Sequence, residues 1–548
     1  MIREEKMSFQ VIDKLKTTAS QMAQNSFLYD WSLSGKSPDR LIIKPVDLWT
    51  GDAKRGQSLL DAAGIAERTG PLWDASWWDP ETADDLWTTH MHGFSWLRDL
   101  RALGGPLAKE QGRLMIENWI ERYEHWNAKT WRSDITGRRI AMWIRHADFF
   151  CDENQLEFEE AFLTSIAKQA THLSNRITAK QGMQQLQATK GLMFAGIACE
   201  NQKEWLEKAH TALSKYIEQN IDEDGGHKSR SPAIMLEVLE ILIDIRTALK
   251  AGARHEPDTL NNTIENMSSV LRLFLHHDRK FALFHNTQEH ESDEINAVLS
   301  AAGTRKNTKQ SLEKTGFERL EIGRSLLIID TGQAQDPFYD KQAHAAPLSF
   351  EFSYGKERIF SNCGTHPISA EWQDALRFTA AHNTACLDQR NACEIKKDGT
   401  FGRKVTQTTL HREETKDAAL IVASHNGYAP LNGITHTRKL YLGDEGHDLR
   451  GEERFTSAFM LIKPIEIAVR FHLHPDVTIS SIKEGEEMLL RIPGGIGWRF
   501  VRSDGVLELE DSLYLGTGIE PRKTKQIVIY GQMHGDHAAV KWALKREE

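Results

Sequence analysis

Apolar positions along the chain follow two different rhythms. From about Asp84 to Leu299 they recur every three or four residues, the period of an amphipathic helix. The run Ile234, Leu236, Val238, Leu239, Ile241, Leu242, Ile245, Leu249 is long enough to be a helix rather than a strand. Its start is signalled by Ser231 as N-cap and Pro232 at the first helical position. Similar spacing predicts helices over Gln111–Trp126, Arg138–Phe150, Phe158–Thr178, Gln187–Cys199, Trp205–Gln219 and Leu260–His276. Many helices joined by short connections read as helical hairpins packed in sequence, as in a bundle, toroid or solenoid.

From about Gly316 the rhythm changes. Segments such as GFERLEIGRSLLIIDTG, ALIVASHNGYAP, EMLLRIPGGIGWRFVRS and KQIVIYGQM are short, β-rich and punctuated by Gly, Asp, Asn and Pro. That spacing predicts an antiparallel sandwich or barrel. The expected organisation is therefore multidomain, α then β: a lead-in over 1–60, a helical domain over 61–301, a polar linker over 302–315 (AGTRKNTKQSLEK from Ala302) and an antiparallel β domain over 316–548.

Composition adds exclusions. Lys plus Arg number 68 against 78 Asp plus Glu, a formal net charge of −10, which argues against a duplex nucleic-acid binder. The longest notable apolar run, Gly191–Cys199, is too short to span a bilayer. Five cysteines without a CxxC spacing read as buried reduced thiols. The polar start, MIREEKMSFQ, lacks a secretory h-region, so the expected location is cytoplasmic, with a periplasmic or envelope-associated location as the alternative. The 23 His and 15 Trp suit a sugar cleft, where indoles stack on pyranose faces, but suit a large helical core equally.

One cluster carries more chemistry than the rest: Asp224-Gly225-Gly226-His227-Lys228-Ser229-Arg230-Ser231-Pro232. Two glycines permit a tight turn. His227 and Arg230 stand just before a helix N-terminus, which favours an anion such as a carboxylate or sulfate. The bland alternative is that both side chains merely satisfy the loop.

The segments ATKGLMFAGIACE, IDEDGGHKSRSPAIMLEVLEILIDIRTAL, HAAPLSFEFSYGKERIFSNCG, RFTAAHNTACLD and RFHLHPDV, in that order, resemble the heparinase II/III-like polysaccharide lyases over about residues 70–545. The resemblance implies an N-terminal (α/α) toroid followed by an antiparallel β-sandwich. It implies β-elimination on a uronic-acid-containing acidic polysaccharide or oligosaccharide, with no cofactor required for the elimination itself. That chemistry needs a neutralised carboxylate, a base for the C5 proton and an acid for the leaving oxygen.

At the positions matching the family's neutralising Asn-His pair stand Met183 and Gln184; Gln184 can donate to a carboxylate and Met183 cannot. Ile234 stands where the family has its catalytic Tyr. Arg230 is therefore assigned as carboxylate partner and His227 as proton-transfer group, with Tyr428 as a replacement tyrosine from the β domain. His344 matches a metal or catalytic histidine of the family, and Asn362 and His382 match the other members of a zinc site. Asn is a poor zinc ligand, so hydrogen bonding between His344 and His382 in the cleft is the alternative.

Trp77, Trp143 and Arg145 are candidate sugar contacts, against the reading that they are inner packing residues. Arg470, His472 and His474 share one strand face, toward either the cleft or solvent. Two other functions stay open: glycan binding or an envelope-related role without catalysis on the same scaffold, and hydrolysis by carboxylates among Asp222, Glu223 and Asp224.

Overall fold

The computed structural model describes residues 27–35, 37–62, 75–151, 155–179, 181–200, 202–304, 307–333 and 336–547. The first 26 residues of the expected lead-in lie outside the described residues. The chain divides into two compact units: residues up to Gln219 together with Glu240–Asn262, and Asn220–Leu239 together with Thr263–Glu548. This division does not follow the switch from helix to strand. The GGH loop at 225–227 and the helix Asp258–Leu273 from Thr263 onward pack with the strands.

In the first unit, the helices Gly105–Tyr123, Ser133–Phe150, Leu156–Arg176, Gly182–Ala198 and Lys203–Asn220 follow one another with short connections. Each contains the core of a segment that the three-to-four spacing predicts. Gly182–Ala198 is buried on nearly every face from Gln185 onward, which matches the uninterrupted apolar run from Gly191, while Gln185, Gln187, Thr189 and Lys190 are buried polar residues of its first half. It meets Ser133–Phe150 backbone to backbone. A Cβ on Gly137 would stand 2.1 Å from the Gln187 carbonyl oxygen, and one on Gly191 would stand 2.5 Å from the Cα of Gly137. Only glycines let the two helix axes come this close.

The described part of the lead-in is strapped to this unit by charge. The Trp49 indole donates to Asp244 at 2.9 Å, and Arg98 pairs with Asp47 at 2.8 Å. No described helix is long and apolar enough to cross a membrane.

The second unit holds two antiparallel sheets. Among the described residues, one has the order β1 (Ser311–Leu312), β2 (Phe317–Ile322), β3 (Ser325–Asp330), β4 (Phe350–Tyr354), β5 (Glu357–Phe360). The larger sheet contains β6 (Ala385–Leu387), β7 (Thr408–Glu414), β8 (Ala419–Tyr428), β9 (Ile434–Gly443), β10 (Asp448–His472), β11 (Thr478–Ile482), β12 (Glu487–Arg491), β13 (Gly497–Arg502), β14 (Val506–Tyr514) and β15 (Arg522–Arg546). Its main path runs β11-β12-β13-β15-β10-β9-β8-β7, with β14 on β15 and β6 on β10. The inner faces share one apolar core, in which Phe350 stacks on Trp542 with ring centres 5.8 Å apart and Phe471 packs on Phe500 at 5.0 Å. Inside this core His436 and Arg438 both bond the Glu453 carboxylate, so the buried charges are paired.

The glycine contact between the two helices sets a test. Gly137→Ala should destabilise the protein by about 3 kcal/mol in urea unfolding, because the methyl meets backbone that cannot yield as a side chain would. A change within about 0.5 kcal/mol, the range of an ordinary surface substitution, would contradict the contact.

Candidate functional site

The GGH loop closes on itself before it meets anything else. The Asp222 N–H donates to the Gly226 carbonyl at 2.8 Å, and the Gly225 N–H to the Asp222 carbonyl at 2.8 Å. Gly225 takes φ +86°, where a side chain is strained. Asp224 clamps the loop to the start of the β region, accepting from the Thr315 N–H at 2.8 Å and the Lys314 N–H at 3.0 Å. That carboxylate is committed to backbone, which removes it from the hydrolytic carboxylate set.

Arg230 sits at φ +60°, an unusual backbone state for a residue with a side chain. The turn swings its guanidinium away from solvent. Nε donates to the Thr315 carbonyl at 2.7 Å, Nη2 donates to the Gly316 carbonyl at 3.1 Å, and Nη2 also pairs with Asp330 at the end of β3. The guanidinium lies over the Phe317 ring, 4.8 Å from its centre. A Cβ on Gly332 would stand 2.5 Å from Arg230 Nη2, so a glycine is needed for the guanidinium to pass.

Asp330 is the hub. It also accepts from His285 Nε2 at 2.9 Å and from the Gly332 N–H at 3.0 Å. Burial alone would raise its pKa; Arg230 and the His285 hydrogen bond outweigh burial and hold the carboxyl below its ordinary range.

His227 is fully buried. Its Nδ1 accepts from the Ser229 N–H at 3.0 Å, which places the ring proton on Nε2. Nε2 faces the Tyr339 hydroxyl at 3.5 Å, and that hydroxyl donates onward to Asn220 Oδ1 at 2.5 Å. Each donor in this row is already directed away from a base. Burial, then Lys228, pushes the His227 pKa down to about 3, so the ring is neutral. Burial, then Asp336, pushes the Tyr339 pKa well above its ordinary value, so the phenol stays protonated.

The β-domain histidines complete the cluster. The His344 N–H donates to His285 Nδ1 at 3.1 Å, and His344 Nε2 accepts from the Asn286 N–H at 2.9 Å. His344 and His382 have ring centres 4.9 Å apart. His382 Nε2 donates to the Leu376 carbonyl at 3.1 Å. Asn362 Oδ1 accepts from the Asn383 N–H at 3.0 Å. The structure thus joins the loop residues and these histidines through Arg230, Asp330, His285, His344 and His382, all within the second unit.

The zinc set fits poorly. His344 Nδ1, His382 Nδ1 and Asn362 Nδ2 are buried without hydrogen-bond partners. Of these, only His382 Nδ1 offers a lone pair. The bond from Asn286 puts the His344 proton on Nδ1, and Asn362, whose oxygen is taken by Asn383, leaves its amide nitrogen, a donor. Zinc needs lone pairs from thiolate, imidazole or carboxylate. Among the described residues no group of three or more His, Cys, Asp or Glu has a metal-holding arrangement.

Other expected contacts are corrected. Trp143 is fully buried and packs against Phe94 at 5.2 Å and Trp119 at 5.5 Å, so it is core rather than sugar platform. Arg145 pairs with Asp47 at 3.1 Å and Asp244 at 2.8 Å, leaving the lead-in strap as its role. The Tyr428 hydroxyl is buried and donates to the Ala385 carbonyl at 2.8 Å, so it is not the replacement tyrosine. The stripe Arg470, His472, His474 does not face solvent: His472 is buried between Ser512, at 2.7 Å, and the Ala380 carbonyl, at 3.0 Å. Gln184 is exposed in the first turn of its helix, and Trp77 is half-buried.

Sequence reading missed Asp330, Tyr339 and Asn220 and gave no role to His285. The one available signal was Asp330 itself, a lone carboxylate ending the apolar run SLLIID, which calls for a buried cation.

Comparison with known proteins agrees with this architecture. Residues 74–308 match the family model "Heparinase II/III N-terminus" and 304–543 match "Heparinase II/III-like, C-terminal". The chain belongs to the heparinase II/III-like family, with its helical toroid and antiparallel β-sandwich. A crystal structure of heparinase III superposes with a TM-score of 0.74 at 14% identity, over 98% of this chain and 91% of that one. Heparan sulfate lyase HepC (mutant) from Pedobacter heparinus gives 0.69 at 15% identity, over 95% and 87%. By sequence, FtsZ-localized protein C of Caulobacter vibrioides is 27% identical over 540 residues, 93% of this chain and 91% of that protein.

The hydrogen-bond directions give a pH test. A neutral buried imidazole stabilises the fold above the unfolded histidine pKa, and that stability is lost as pH falls toward the folded value. His227, at about 3, and His382, at about 3, both act in this sense, so stability should fall on acidification from about pH 6.5. In nitrogen-detected NMR the His227 ring should keep its proton on Nε2 at pH 5. A His227 titration near pH 6.5 would contradict the assignment.

Proposed function

We propose that this chain recognises an acidic glycan on the polysaccharide-lyase scaffold without carrying out elimination. The observation that carries the proposal is the commitment of Arg230: its Nε and Nη2 donate to two backbone carbonyls, and its charge is paired with the Asp330 carboxylate. The guanidinium assigned to neutralise a uronate already has its charge paired with Asp330. The proton-transfer pair supports the same reading. β-Elimination needs a group that can accept the C5 proton, and a protonated Tyr339 that donates to Asn220 is not such a group. Met183 and Ile234 point the same way, since neither side chain can donate or move a proton.

Lyase activity is the second reading, favoured by one observation: His227 and Tyr339 are paired, with ring centres 5.1 Å apart, in a family whose chemistry uses a tyrosine and a histidine. It requires both groups to exchange their present partners for substrate. The name of the Caulobacter relative describes a protein localised with FtsZ, and it supports a location of that kind for this chain.

Incubation with heparan sulfate, alginate, hyaluronan and pectin separates the two. The proposal predicts binding to at least one of these and no ultraviolet-absorbing unsaturated uronate from any. Accumulation of unsaturated product that Tyr339→Phe abolishes would establish the lyase reading instead.

A further inference from the structure

The candidate site is enclosed, yet the second unit carries an open groove elsewhere, of about 480 Å³, on the outer face of the large sheet. Strand register explains its shape. Leu420 on β8 lies opposite Tyr441 on β9, Tyr441 opposite Arg450 on β10, Arg450 opposite Ala543 on β15, and Ala543 opposite Val501 on β13. These five residues form one row that crosses the strands. Small Ala543 and Val501 leave the row low, and Tyr441 is 37% exposed within it.

The next row on the same face is Lys439, Glu452 and Lys541, again in register. Lys439 and Lys541 flank Glu452 at 3.6 and 4.0 Å. On the other side Lys545 reaches Asp448 at 3.5 Å, and Arg450 pairs with the same carboxylate. With Arg454, which also pairs with Glu452 at 2.7 Å, five cations share these two carboxylates, a local positive surplus on a chain whose net charge is −10. Lys541, Lys545 and Arg450 keep side-chain exposures of 65%, 52% and 57%, so their charges remain available to a ligand.

We infer that this groove binds an anionic oligosaccharide, and that it is the surface by which the protein recognises its glycan; the inference rests on the non-catalytic reading above. Three features select a glycan over an acidic peptide. The groove runs across the strands, and the backbone along its floor is spent on sheet pairing, so it offers no free strand edge for a peptide to extend. An exposed tyrosine ring suits the C–H face of a pyranose. Neighbouring strands lie about 4.8 Å apart, so Lys439 and Lys541, two strands apart, stand about 10 Å from each other along the groove, a span that fits acidic groups repeated along a sugar chain.

The test is titration calorimetry on the full chain with a heparin octasaccharide, an alginate hexasaccharide and polyglutamate of matched charge. The wild type should bind at least one acidic oligosaccharide more tightly than polyglutamate. Lys439→Glu combined with Lys541→Glu should weaken that binding roughly tenfold or more, with an unchanged melting temperature. Should the double reversal lower the melting temperature, the pair Lys439→Gln and Lys541→Gln supplies the same readout with a smaller loss. Tyr441→Ala should weaken binding while leaving its salt dependence intact. Undiminished oligosaccharide binding by the folded lysine variants would overturn the groove while leaving glycan recognition standing. Polyglutamate bound as tightly as the sugars would overturn the choice of ligand. Absence of binding to every acidic glycan would remove the functional reading itself and the groove with it.

Discussion

The second unit is organised around one buried ion pair, Arg230 with Asp330, extended by His285. Removing two charges from water is costly, and the site answers that cost with a nearly complete set of hydrogen bonds: two carbonyls on the guanidinium, an imidazole and a backbone N–H on the carboxylate. The pair joins three places far apart in sequence: the GGH loop, the end of β3 and the turn at His285. His344 hangs from that turn through its own N–H, and His382 packs on His344. The groups that first suggest catalysis are in this way the groups that hold the sheet and the loop in register.

Under the proposed reading, the same arrangement lets a lyase scaffold persist without the chemistry. Elimination asks for an unsatisfied cation and a poised base. This cluster has satisfied its cation and fixed the direction of its protons, with His227 donating toward Tyr339 and Tyr339 toward Asn220. Each change favours stability over reactivity. The zinc positions follow the pattern: with Asn362 in place of a carboxylate, and with the His344 proton directed by Asn286, the polar set is one of donors more than of ligands.

Much of the fold was legible in sequence because period and punctuation agree there. The helix at Pro232 begins where Ser231 and Pro232 announce it. The alternation in THTRKLYLG becomes β9 with its burial alternating as expected. The 25 residues of β10 were not legible as one strand, because Phe459 to Pro464 breaks the two-residue period. The structure bridges that stretch with shifts of register between Thr456, Leu461 and Ile465. Of the candidate site, the sequence revealed the loop and the histidines but not their partners. Asp330 is hidden at the end of an apolar strand, and Tyr339 ends the short 3-10 turn Pro337–Tyr339, which carries no catalytic motif. Partner choice depends on the positive φ of Arg230, which turns its side chain inward, and no local pattern marks that turn. Trp143 and Arg145 show the opposite failure, since residue types suited to sugar contact serve as core and strap.

The central claim is that Arg230 serves Asp330 rather than a substrate. A double-mutant cycle with Arg230→Met and Asp330→Leu, read by urea unfolding, tests it most directly. Each single change should destabilise the protein by about 3–5 kcal/mol, because it strands a buried charge, and the double variant should recover a large part of that loss. Single changes that leave stability intact and combine additively would show that the guanidinium is free for another purpose, and the account would fail.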